Sequence, residues 1–147
     1  MAAISVHLAK IREHLQEIKD AIAIGIESRP ATIGFHTTSC AIDLLEMYLH
    51  KTGKIQTGAQ IKHEWFKRPK QWQKIMPLAE RHLQVIFPNK NEIFELLYSL
   101  EENRNKLIYG SSTKNQIQHI CITFEQYKKL VGEMLAEEGE QIEDTNP

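Results

Sequence analysis

Residues 4–22, Ile-Ser-Val-His-Leu-Ala-Lys-Ile-Arg-Glu-His-Leu-Gln-Glu-Ile-Lys-Asp-Ala-Ile, decide the fold class. Apolar side chains recur at Ile4, Leu8, Ile11, Leu15, Ile18 and Ile22, in alternating steps of four and three. An α-helix brings those positions to one face as a continuous stripe, and such a stripe needs a partner element to cover it. Ser28-Arg29-Pro30 closes this helix, because the proline ring crowds the helical conformation at Arg29. Pro30 itself suits the first turn of a second helix, capped at about Ser28. That helix carries Ile33, Phe35, Thr38, Ala41, Ile42, Leu44, Leu45, Tyr48 and Leu49. Its apolar arc is wide, so it is expected to be the most buried helix, and Gly53 stops it.

Residues 54–69 have weak periodicity and predict a loop with one short helix near 58–66. A third helix is expected from about 70 to 86, with Pro77 kinking or splitting it. Asn89 with Glu92 reads as a capping box for a fourth helix, striped by Ile93, Leu96, Leu97, Leu100, Leu107 and Ile108 and ended by Gly110. Thr113 with Gln116 opens a fifth, striped by Ile117, Ile120, Cys121, Phe124, Tyr127, Leu130, Val131 and Leu135. No stretch alternates with period two for long enough to build a sheet. The pattern predicts an all-α, antiparallel, up-and-down bundle of four or five helices. One domain is expected over residues 1–138. Residues 139–147 offer no packable face and read as a disordered acidic tail.

The 147 residues are 41% hydrophobic and 25% charged, an ordinary globular mix. No apolar run approaches the roughly 18 residues of a membrane span. The N-terminal MAAISVHLAKIREH is charged by Lys10 and lacks a secretory pattern. Two cysteines, Cys40 and Cys121, fit core positions in a reducing compartment, and cytoplasmic localisation is expected. There is no Gly-rich phosphate loop, GxSxG elbow or CxxC pair. The seven histidines have no HExxH spacing and no nearby cysteine, so neither metal nor other cofactor is predicted. His7 and His14, seven apart, share one helix face. Protonating all seven would move the formal charge from -1 to +6, raising affinity for polyanions below about pH 6.

The net charge of -1 conceals segregation. Residues 51–74 hold Lys51, Lys54, Lys62, Lys67, Arg68, Lys70 and Lys74 against Glu64 alone, a net of +6. Residues 133–147 hold six acidic side chains and no basic one, a net of -6. Trp65, Phe66 and Trp72 interleave with the lysines. Cations attract phosphates and flat aromatics stack on unpaired bases, which marks Lys62, Lys67, Arg68, Lys70 and Trp72 as a nucleic-acid surface. The competing reading is a solvated face anchored to the core by its tryptophans. A mobile acidic tail would compete with RNA for the basic surface.

One polar interruption stands out in the fourth helix. Arg104 lies four residues past Leu100 and three before Leu107, on or beside the apolar stripe. A guanidinium there pairs with Glu101, Glu102 or Glu46, or faces a cleft. Tyr109 closes the helix. The order of a long amphipathic helix, a very apolar second helix (PATIGFHTTSCAIDLLEMYLHKTG) and a helix ending in ENRNKLIYG resembles the HEPN domain family. The resemblance covers about residues 5–136, mostly as helix order and length. The family signature is Arg, a polar residue, three variable residues and His. Arg104 and Asn105 match its first two positions, Tyr109 stands where the histidine belongs, and Ser111 occupies a position that is Tyr in some family toxins.

The resemblance implies a homodimer whose signature helices meet across a cleft, often beside a nucleotidyltransferase partner of the toxin–antitoxin kind. In active members that cleft cuts RNA without metal. A base takes the proton of a 2′-hydroxyl and a cation stabilises the phosphorane. Arg104 is suited to the cation's role and Asn105 to orienting a phosphate oxygen. Tyr109, with an ordinary pKa near 10, is a poor base at neutral pH but donates a hydrogen bond. A histidine from another helix, such as His36 or His119, is a possible substitute. Three functions follow: a dimeric nucleotide- or RNA-binding accessory module, a metal-independent endoribonuclease, and an unrelated helical interaction scaffold.

Overall fold

The computed structural model describes residues 4–143. It is an all-α up-and-down bundle: α1 (Ile4–Ile24), α2 (Pro30–Lys51), α3 (Leu78–His82), α4 (Lys90–Tyr109) and α5 (Lys114–Glu137). No described helix is long and apolar enough to cross a membrane. The five residues 25–29 fold α1 back onto α2, and residues 110–113 fold α4 back onto α5. Helix α2 is the hub, packing against α1, α4 and α5. Its side chains at Ile33, Cys40, Ala41, Leu44, Leu45, Met47 and Leu49 are all buried, as the wide apolar arc requires. Tyr127 of α5 is fully buried and donates its hydroxyl to Ala41 O at 2.6 Å, satisfying the one polar atom this ring brings into the core.

The α1 stripe is seated at Ile11, Leu15 and Ile18. At its C-terminal end Ala21 takes the buried place and Ile22 is exposed. At its N-terminal end His7, with 3% exposure, shares the buried face. Helix α2 is preceded by Arg29 rather than capped by Ser28, with Pro30 in the first turn. At Gly34 two helices come very close: a Cβ there would lie 2.8 Å from Leu107 Cβ, so α2 and α4 touch nearly backbone to backbone. The Thr113–Gln116 capping box forms in both directions, at 3.2 and 2.9 Å. The Asn89–Glu92 box does not. Asn89 adopts a left-handed conformation (φ 61°) with no side-chain cap. The start of α4 is tied instead by Lys90, whose Nζ donates to Leu83 O and Val85 O.

The long third helix expected from 70 to 86 is not formed. The 3-10 turn His63–Phe66 and the five-residue α3 are the only helical pieces between α2 and α4. Pro69 and Pro77 disfavour helix at the residues before them, and α3 starts directly after Pro77. The intervening Trp72, Ile75 and Met76 are exposed and supply no stripe to dock. Burial falls on Ile61, Phe66, Ala79, Leu83 and Phe87, which staple this segment to the core.

The acidic tail also departs from expectation over residues 139–143; residues 144–147 lie outside the described set. Ile142 is buried, its Cδ1 meeting the space over Gly132. Arg12 donates to the carbonyls of Gln141 and Ile142. Glu143 pairs with Lys128 at 3.1 Å, and Glu140 with Lys51 at 3.1 Å. One isoleucine and a row of cations suffice to fix a stretch whose composition looked unpackable. Truncation after Gly139 is therefore expected to lower stability by about 1.5–3 kcal/mol, the value of burying one isoleucine, read from the urea midpoint. An unchanged midpoint would show that the docked tail adds nothing.

Candidate functional site

The last turns of α4 carry the signature residues. Their helical spacing sets Leu97, Glu101, Arg104 and Ile108 on one face in steps of four, three and four. Arg104 pairs with none of the acids expected for it. Glu102 is taken by Arg68, and Glu46 accepts from Ile61 N at 2.9 Å. Arg104 Nη1 donates to Asn105 Oδ1 at 3.3 Å, while its Nε is buried without a hydrogen-bond partner. A buried, unsatisfied guanidinium N–H is costly, and a bound acceptor relieves the cost. Asn105 is exposed. Tyr109 does not cap the core; it is 78% exposed, and Phe35 of α2, at the same end of the bundle, is 46% exposed.

Sequence reasoning named Glu101 as a partner for Arg104 but missed the histidine that engages it. His63, on the 3-10 turn, has its Nδ1 2.9 Å from Glu101 Oε2. Burial pushes the Glu101 carboxyl above its ordinary range, opposed by the hydrogen bond and charge of His63 and by the charge of Arg104. The signal available in sequence was the three-residue spacing of Glu101 and Arg104 on one helix face. Neither of the histidines considered as substitutes fills this place. His36 Nδ1 is 2.8 Å from His14 Nδ1, and His119 Nε2 is 3.3 Å from Ser99 Oγ.

The basic segment divides into engaged and free residues. Arg68 is not a free phosphate ligand: it pairs with Glu95 at 2.8 Å and with Glu102, and lies 4.8 Å above the Tyr98 ring. Lys51 is held by Glu140. Trp65 stacks on His82 at 4.5 Å, an anchor. Trp72 is 74% exposed, with Lys70 Nζ 5.9 Å from its ring, a free stacking face. Lys62 and Lys67 are exposed. Lys67, Arg68, Glu101, Glu102 and Asn105 line one groove of about 320 Å³. The fold thus joins the signature turn to the basic segment, with two carboxylates in the same groove. Residues 140–143 engage Lys51, Lys128, Lys19 and Arg12, so the docked part of the tail sits away from Lys62, Lys67, Arg68 and Lys70.

The remaining histidines gather between α1 and α2. His14 sits between His36 and Asp43, with its Nε2 3.3 Å from Asp43 Oδ2. Two turns earlier on α1, His7 stacks on His50 of α2 at 5.3 Å. Burial pulls His7 and His36 below the ordinary histidine range. These two resist protonation, so mild acid adds less positive charge than seven free histidines would supply. Burial also pushes both cysteine thiols up, Cys40 furthest, which fits core positions rather than nucleophiles. Comparison with protein-family models, with curated proteins and with solved structures found no match to this chain.

Proposed function

We propose that this chain is a HEPN-like RNA- or nucleotide-binding module, working as a dimer and beside a nucleotidyltransferase partner of the toxin–antitoxin kind. The observation that carries the reading is the shared groove: Lys67 of the basic segment and Asn105 of the signature turn line it together. Arg104 adds a guanidinium with an unpartnered inner N–H on the same turn. Trp72 adds an exposed ring for a base. Glu101 and Glu102 in the groove oppose bulk phosphate binding, which favours a few placed contacts over a broad polyanion surface. Exposed Tyr109 and Phe35 at one end of the bundle supply aromatic area for the second protomer.

Fluorescence anisotropy with single-stranded RNA across a salt series tests the reading. Arg104→Ala and Lys67→Ala are each expected to weaken binding by about tenfold, the size of one lost charge-assisted hydrogen bond. Each is also expected to flatten the log–log salt slope by about 0.7. Binding unchanged by either substitution would end this reading. Light scattering reports the dimer independently, and a clean 17 kDa species would remove the shared cleft.

The His63–Glu101 pair favours a second reading, metal-independent RNA cleavage. A carboxylate on Nδ1 fixes the imidazole tautomer, and Nε2, which lies 3.4 Å from Oε2 of the exposed Glu64 side chain, can take a proton once that side chain swings aside. His63 would accept the 2′-hydroxyl proton as the 2′-oxygen attacks phosphorus. The P–O5′ bond then breaks, and the 5′-oxygen regains a proton from the imidazolium. Arg104 is suited to stabilise the phosphorane. Cleavage in EDTA that is lost in both His63→Asn and Arg104→Ala supports this second reading; uncut RNA leaves the binding module.

A further inference from the structure

His7, Glu46 and His50 converge where α1 crosses α2, each offering one ligand atom within 4.8 Å of the others. His7 is almost fully buried, yet its Nε2 has no hydrogen-bond partner. An imidazole nitrogen orphaned in the core is costly unless something binds it. The atom facing it is Glu46 Oε1, 3.9 Å away. Glu46 is fixed by its other oxygen, Oε2, which accepts from Ile61 N at 2.9 Å. His50 Nε2 lies 3.1 Å from Ala59 O, so its N–H donates to that carbonyl and Nδ1 keeps the lone pair. A backbone carbonyl holding one ring nitrogen while the other is left free is the support that metal-binding histidines require.

We propose that His7, Glu46 and His50 bind one divalent first-row transition ion of the zinc class. Two imidazoles and a carboxylate suit such ions, and hard alkaline-earth cations prefer oxygen-only sets. Zinc bonds of about 2.0–2.2 Å bring ligand atoms closer than they stand here, so the three side chains must draw together on binding. A groove of about 210 Å³, lined by His7, Lys10, Asp43, Glu46 and residues 58–60, opens on the site. It gives the ion a route in and leaves a coordination position for water. The charged groups around the site are Glu46 and Asp43, which favour a cation, and Lys10, exposed and able to swing away. Asp43 is partly engaged by His14 and is not one of the three ligands. Because the ligands come from two helices, the ion would pin α1 to α2. Sequence spacing alone concealed the set, since only Glu46 and His50 are near neighbours, one turn apart on α2.

The full chain, stripped with a chelator and exchanged into clean buffer, is titrated with Zn²⁺ by calorimetry and with Co²⁺ by visible absorption. One ion per chain is expected, with Co²⁺ giving the intense bands of a four- or five-coordinate site. Glu46→Gln keeps an acceptor for Ile61 N–H, and His50→Gln keeps a polar side chain on an already half-buried position. Each is expected to weaken binding by at least the roughly 10–100-fold that losing a ligand's supporting partner costs, with helical circular dichroism unchanged. His36→Gln, at the other histidine cluster, is expected to leave affinity unaltered. The proposal is overturned by the absence of saturable binding. It is equally overturned by affinity indifferent to both Glu46→Gln and His50→Gln, or by loss of the ion on His36→Gln.

Discussion

Phe66→Ala is expected to lower the unfolding free energy by about 3–5 kcal/mol. Phe66 is 1% exposed and meets the Phe94 ring edge to face at 5.3 Å and Tyr98 at 5.8 Å. It is the buried end of the only 3-10 turn in the long connection between α2 and α4. Removing it deletes the ring and leaves a cavity against two aromatic neighbours that cannot collapse without moving α4. The Arg68 pairs with Glu95 and Glu102 do not compensate, since exposed ion pairs contribute about 0–1 kcal/mol. The stretch around the 3-10 turn then loosens, shifting Lys67 out of the groove and His63 away from Glu101. RNA affinity is expected to fall together with the urea midpoint. Trp72→Ala, a large ring on the same segment but exposed, is expected to shift stability by no more than about 0.5 kcal/mol. Equal effects of the two substitutions would refute the view that this connection is anchored through Phe66.

The second large effect is at Gly34. Helix propensity alone predicts that Gly34→Ala stabilises the chain by about 1 kcal/mol. The opposite sign is expected here. The new Cβ would meet Leu107 Cβ at 2.8 Å, Ile108 Cγ1 at 3.3 Å and Arg104 O at 3.4 Å. The nearest atom is rooted on the α4 backbone and cannot rotate aside, so the helices must separate. Gly34→Val, with two further methyl groups, is expected to cost about 3 kcal/mol. Because the displaced turn carries Arg104, RNA binding measured well below the unfolding transition should weaken as well. A stabilised Gly34→Ala, by thermal or urea unfolding, would rule out this close approach.

The helices were legible wherever a stripe faced a core. Leu15 and Ile18, the α2 arc and the Thr113–Gln116 box all fall where periodicity and capping chemistry put them. The reading failed where local pattern and tertiary environment diverge. Residues 70–76 include helix-forming side chains, but Pro69 and Pro77 bracket them and no surface awaits them. Asn89 has the right identity for a cap and the wrong backbone conformation. Ile142 is one apolar residue in an acidic run, and its burial depends on the space over Gly132, which no short window displays. The site was legible only in its α4 half. His63 and Glu101 are separated by most of the irregular connection and by the start of α4. His7 and His50 are joined only by the antiparallel crossing of α1 and α2. The excess of charge in residues 51–74 was visible, but not that Arg68 and Lys51 are already occupied by acids.

The docked C-terminal strap has a kinetic consequence. Arg12 and Ile142 are 130 positions apart in the chain. The α1–α2 and α4–α5 hairpins close short loops and can form early, whereas the strap requires nearly the whole chain to be in place first. It therefore belongs to the last contacts made and the first released. Loosening it should accelerate unfolding while leaving the refolding rate almost untouched. In that sense residues 140–143 govern how long the folded molecule lasts rather than how quickly it is reached.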